Sequence, residues 1–307
     1  MQGLAKPAAV MTRPLTLPPR AWEPEALAEE IAGARESKQI ADMSLELLDV
    51  EVLDTGKYQA MVIQDPADRR SIRGYFHLCP VYIPSAADAE ARSRWGLGSA
   101  FPFPSSLRNL VGALNRYTDI HADVGQAFSI DSQSVFEVPI VFVSSHVPFA
   151  ASPAEARNVG EYLEAGGFLF SDTLSMNARV VYPNMRALWQ ASLASVGKLY
   201  GVHWNFETIS RSHGIYHCYF DFEGPPAGLD NFQPSNMPPV DYLNGVFIAG
   251  RLLGICTSKN YWQPWSDWHR KNEGADNTRA LQFGVNVIVF ALTQEGSITN
   301  RVMDTVQ

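Results

Sequence analysis

The chain has 307 residues, of which 46% are hydrophobic and 18% charged, with a formal net charge of −8. That length and apolar content supply a large core and exclude global disorder, and the acidic balance excludes a broad nucleic-acid-binding surface, which needs clustered Lys and Arg. The longest apolar stretch, residues 285–292, falls far short of the roughly 20 residues that cross a bilayer.

Residues 1–23 contain Pro7, Pro14, Pro18 and Pro19. They are expected to form an extended arm that uses Leu4, Met11, Leu15, Leu17 and Trp22 to dock on another subunit. The opening Met1-Gln2-Gly3-Leu4-Ala5-Lys6-Pro7 lacks a charged-then-apolar leader pattern, so a cytoplasmic location is expected, compatible with peripheral attachment to a membrane complex. A helix is expected over 25–37 and strands over 45–53, 58–64 and 72–83. The segment 24–72 is thus a helix and an antiparallel β addition ahead of the main α/β domain, 73–307.

From there the pattern changes to alternating strands and helices. Residues 104–117 carry Leu107, Leu110, Val111 and Leu114 on one helical face. The apolar run 138–144 suits a strand buried on both sides. Ser152-Pro153-Ala154-Glu155 is a helix start with cap, first-turn proline and capping-box glutamate, and Gly166-Gly167 ends that helix. A strand follows at 168–171. The strand–helix–strand order predicts a right-handed parallel crossover. A helix over 184–200, a hairpin around Gly250-Arg251 and a last long helix over 276–292 complete the pattern.

Five separated blocks, in order, resemble the domain-of-unknown-function 4159 family over roughly residues 73–293. They are Phe142-Val143-Ser144-Ser145-His146; Glu161-Tyr162-Leu163-Glu164-Ala165-Gly166-Gly167-Phe168-Leu169-Phe170-Ser171-Asp172; residues 213–222, from His213 to Phe222; residues 245–252, from Gly245 to Leu252; and residues 280–292, from Ala280 to Leu292. The resemblance implies a mostly parallel sheet flanked by helices, similar to flavodoxin-like and class I glutamine amidotransferase-like folds. This sequence departs from the family's pattern where Thr173 replaces a second acidic residue, and where Ser212 and Gly214 flank His213.

An amidotransferase needs a cysteine on the turn after such a strand, activated as a thiolate. The turn here carries Asp172, Thr173 and Leu174, and Cys79, Cys218 and Cys256 are all distant from it in sequence. No glutaminase activity is expected. Ser171 lacks the Gly-x-Ser-x-Gly surround of a serine nucleophile. His146 and Asp172 fall at the carboxyl ends of parallel strands, where open α/β sheets place ligands. Either they are hydrogen-bonded structural groups or they form a ligand site with His213 or His217. If 213–220 is extended, residues four apart lie about 13 Å from each other, so at most one of those two histidines joins. Arg251 is an anion contact or pairs with Asp221 or Asp241, and Asn286 is a core amide capping a neighbouring loop or a ligand contact. Trp262, Trp265 and Trp268 form an aromatic run, expected to be an irregular loop that is either buried or an interface.

No cofactor and no resident metal is expected. Two functions remain open. One is a non-catalytic accessory or scaffold subunit whose arm and aromatic loop bind other protein subunits, for example in a respiratory or photosynthetic membrane complex. The other is an enzyme or a metal- or carbohydrate-binding protein using His146 and Asp172.

Overall fold

Runs of apolar, β-branched and aromatic residues produce strands β1 (Ala60–Gln64) and β2 (Ile72–His77), which pair antiparallel. Asp65 closes the turn between them, its side chain accepting from the Ala67 amide and its own amide donating to the Ser71 carbonyl. The structure, a computed structural model, describes residues 54, 58–92, 104–174, 178–231, 239–267 and 277–300. The helix and first strand expected at 25–37 and 45–53 lie outside those residues.

The strand expected over 72–83 is divided. It stops at His77, and β3 (Val81–Tyr82) begins after Pro80, which has no N–H to continue a ladder. Helices α1 (Pro84–Arg92) and α2 (Pro104–Tyr117) follow, then β4 (Asp119–Asp123) and β5 (Phe128–Ser129). β4 runs parallel to β2, giving a small sheet of order β1-β2-β4. The front of the chain is therefore more than an antiparallel addition, because the apolar face of α2 returns the chain beside β2.

The central sheet is built by β6 (Ile140–Ser145), β7 (Phe168–Thr173), β8 (Phe206–Thr208), β9 (Asn244–Ile248) and β10 (Arg251–Thr257), in the order β6-β7-β10-β9-β8. β6, β7 and β10 are parallel; β9 and β8 add antiparallel. Helix α3 (Pro153–Glu164) makes the expected crossover from β6 to β7, with the full capping box between Ser152 and Glu155 and Gly166 at φ +106 beyond its end. The β9–β10 hairpin turns through Ala249 and Gly250, both at positive φ.

Helix α4 (Ala178–Ser195) begins before the expected 184 and ends before 200. Val181, Met185, Leu188, Trp189 and Leu193 make one buried face strong enough to carry Pro183 inside the helix. Gly197 takes φ +78 and lets the Lys198 amide return to the Leu193 carbonyl, which stops it. α3 and α4 cover one face of the sheet over Val141, Val143, Leu169 and Cys256. They approach so closely that a Cβ on Gly160 would lie 2.2 Å from the Ser192 carbonyl oxygen.

The opposite face, with Phe142, Phe170 and Ile255, is covered by α2, α5 (Trp262–Ser266) and α6 (Asn277–Thr293). Two-sided covering explains why all six residues of β7 are buried. The aromatic run is thus a short helix rather than an irregular loop. Pro264 sits in its first turn, where no intrahelical donor is lost. Trp262 and Trp265 are 3% and 0% exposed, with ring centroids 6.0 and 5.9 Å from Phe142, so both face the core of this chain and not solvent. Among the described residues no helix is long and apolar enough to cross a membrane.

Candidate functional site

The parallel strands end together, with Ser144, Asp172 and Thr257 in register. Asp172 is 0% exposed. Its Oδ1 accepts the amides of Thr173 at 2.8 Å and Asn260 at 3.0 Å, and its Oδ2 accepts that of Tyr261 at 2.7 Å. The carboxylate therefore clasps the loop after β10 and sets the start of α5. Burial pushes its pKa up to about 7, against the lowering effect of those three amides, with the Asp230 charge adding to the rise.

The loop it holds is unusual. Asn260 lies in the left-handed region at φ +53, and its buried Oδ1 has no partner, as is true of the neighbouring Thr173 Oγ1. Lys259 is buried beside it. Its Nζ donates to Asp230 Oδ2 at 3.0 Å and to the Val240 carbonyl at 2.7 Å, and the two ionic side chains are 2% and 1% exposed. Asp230 also accepts the amides of Gly228 and Val240. Sequence reading passed over this pair. The available signal was a Lys-Asn step one residue beyond a buried strand.

His146 follows β6 at the same edge as Asp172. Its ring N–H donates to the Leu174 carbonyl, and burial holds its pKa below the usual histidine value. Asp172, by contrast, is engaged by main-chain amides. His213 is elsewhere. Residues 214–216 are a 3-10 turn, not extended chain, and His213 caps it by accepting the Ile215 amide on Nδ1. Its ring packs on Phe247 and Phe290, and Phe290 packs on Phe168 at the opposite end of β7. Four residues of strand, about 13 Å, separate Phe168 from Asp172. The trio His146, Asp172 and His213 is not assembled.

His217 lies on the exterior, with Nε2 donating to the Arg211 carbonyl at 2.8 Å and Nδ1 3.2 Å from Asp221 Oδ1. Asp221 also takes Arg69, and His217 and Arg69 hold its carboxyl below the usual range. Asp241 pairs with Arg211. Arg251 pairs with neither of these carboxylates. It donates to the carbonyls of Leu163 and Gly167 and so ties down the end of α3, where the helix dipole favours a cation. Asn286 is the expected core amide, joining the Phe220 amide and the carbonyls of Ile215 and Phe220. Leu4, Met11, Leu15, Leu17, Trp22 and Trp268 lie outside the described residues.

Cys256, distant in sequence, stands beside Ser171 in the sheet. Burial pushes its thiol up to about 12, which leaves no nucleophilic thiolate at neutral pH. Ser171 is sealed, donating to the Ile255 carbonyl and accepting from the Trp189 indole. Beside them is a cleft of about 40 Å³ lined by Tyr182, Val240, Tyr242, Asn244, Cys256, Thr257 and Ser258, so neither His146 nor Asp172 faces it. Among the described residues no group of three His, Cys, Asp or Glu side chains is arranged to hold a metal ion.

Residues 96–292 match the family model described as domain of unknown function DUF4159, more than half of the chain. The chain belongs to the DUF4159 family. The DUF4159 region runs from ahead of α2 to near the end of α6 and takes in every strand of the central sheet and the whole carboxyl edge, leaving β1, β2, β3 and α1 outside. No curated protein matches the chain.

Proposed function

We propose that this DUF4159 chain is a non-catalytic accessory or scaffold subunit, built on a degenerate amidotransferase-like domain and acting through contacts with other protein subunits. The observation that supports this reading is the engagement of Asp172: a fully buried carboxylate at the edge where such sheets place reactive groups, occupied by the amides of Thr173, Asn260 and Tyr261. The adjacent Lys259–Asp230 pair and the protonated Cys256 thiol agree with a structural edge.

A second reading is favoured by a different observation. The left-handed Asn260 and the unpartnered Asn260 Oδ1 and Thr173 Oγ1 beside a carboxyl of pKa about 7 are features that gather at ligand sites. One experiment separates the two. His146→Gln is introduced into the native host and compared with deletion of the gene. Full function, together with recovery of the protein in an assembly larger than its own 34.0 kDa, supports the accessory role. A deletion-like phenotype with normal level and folding of the variant favours the ligand or enzyme reading.

A further inference from the structure

In an acidic chain, one face of α2 is basic. Arg108 and Arg116 stand eight residues apart, with Gly112 midway between them. Positions i, i+4 and i+8 share a helix face, and the two arginines start about 12 Å apart along the axis, within reach of each other's guanidinium through their long side chains. Neither makes an ion pair among the described residues; Arg116 lies only 5.8 Å from the ring of its neighbour Tyr117. By contrast Arg69 and Arg211 are matched with carboxylates.

A groove of about 200 Å³ opens between these arginines, lined also by Asn109, Ala113, Tyr117 and, from α6, Leu281. Gly112 lies in its lining, and a Cβ placed there would meet nothing within 4 Å among the described residues. That differs from Gly160 and from Gly284, whose added Cβ would lie 2.3 Å from Leu110. A mid-helix glycine costs roughly 0.5–1 kcal/mol against alanine. At 160 and 284 close packing requires it. At 112 no packing does, and what the missing side chain provides is open volume between two positive charges.

The walls of the groove are held by contacts of their own. Asn109 is fixed by donating to the Trp265 and Ser266 carbonyls, and Tyr117 packs edge-on against Phe220. Guanidinium forks match phosphate oxygens two at a time, and two arginines balance the nearly two negative charges of a phosphate monoester. Ala113, Leu281 and the Tyr117 ring offer apolar surface to a small organic body. The volume is below the 300–1,000 Å³ of drug-sized sites.

We infer that the groove over Gly112, between Arg108 and Arg116, binds a small organic phosphate monoester. The site is lined by α2 and α6, independent of the strand ends around Asp172, and its test does not bear on the accessory reading.

The experiment is calorimetric titration of the full-length protein with phenyl phosphate at low salt, with inorganic phosphate in parallel. The expected result is saturable one-to-one binding of phenyl phosphate, tighter than that of inorganic phosphate. Arg108→Gln and Arg116→Gln are each expected to weaken it at least tenfold. Gly112→Leu is expected to abolish it while keeping or raising the melting temperature, since leucine favours the helix and fills only the groove. Absence of saturable binding, or equal affinity in wild type and the double arginine variant, overturns the assignment. Equal affinity for inorganic and phenyl phosphate overturns its organic component. Retained binding by folded Gly112→Leu places the anion elsewhere and overturns it too.

Discussion

Lys259 and Asp230 form an ion pair at 3.0 Å with both side chains essentially removed from solvent. Every oxygen of that carboxylate is used, one by the Gly228 amide and the other by the ammonium and the Val240 amide. Removing one partner strands the other charge in a low-dielectric interior, which costs about 3–5 kcal/mol. Lys259→Met and Asp230→Leu are each expected to lose that much in urea unfolding. The double variant should lose clearly less than the sum, and strict additivity would show that the two groups are not coupled.

Asp172 is expected to give stability an unusual pH dependence. Its folded pKa, about 7, lies above the ordinary 3.8, so the native state holds this proton more tightly than the unfolded chain does. The contribution is fully present below about pH 4 and is lost as pH rises through 7. Its size is on the order of 4 kcal/mol. Subtracting the unfolding free energy of Asp172→Asn from that of wild type across pH 4–8 isolates this group. The difference should decline with rising pH and level off above 7; a flat or rising difference would be contrary to the raised pKa.

Asn286 bridges α6 to the loop at 215–220 by three hydrogen bonds. Asn286→Leu keeps the volume but leaves the Phe220 amide and two carbonyls without that partner. A loss of roughly 2–4 kcal/mol is expected, with hydrogen exchange accelerating at the Phe220 amide more than at the β7 amides. Uniform acceleration would mean that the loop is not held locally.

The Cys256 thiol is buried, with its pKa raised to about 12. An aromatic disulfide reagent at pH 7.5 should leave it unmodified in the native protein and label it fully in denaturant, as read by peptide mass mapping. Rapid native labelling of Cys256 would reopen a nucleophilic role for this strand.

Elements whose signals are local were legible in the sequence. α3 announces itself by Ser152, Glu155 and Gly166, and the β9–β10 hairpin by Gly250. α4 was misplaced because Pro183 is a strong local breaker that the packing of Val181, Met185 and Trp189 overrides. At 214–216 the strand preference of Ile215 and Tyr216 points to extended chain, while the His213 side-chain cap and the Asn286 bridge make it a turn. At the carboxyl edge, the positions of His146 and Asp172 followed from strand ends. What Asp172 does could not be read, because its partners at Asn260 and Tyr261 are main-chain amides 88 and 89 residues away, and an amide leaves no mark in a sequence.

The buried character of α6 has a consequence for synthesis on the ribosome. This helix covers Phe142, Phe170 and Trp265, yet it is translated after all three. From Phe168 to the end of α6, at 5–20 residues per second, translation takes roughly 10 s. Once α4 is made, the nascent sheet has one face finished by α3 and α4, while the Phe142 and Phe170 face carries α2 but still lacks α5 and α6. The growing chain is then a natural client for a holdase chaperone, and a translational pause ahead of residue 277 would lengthen its exposure.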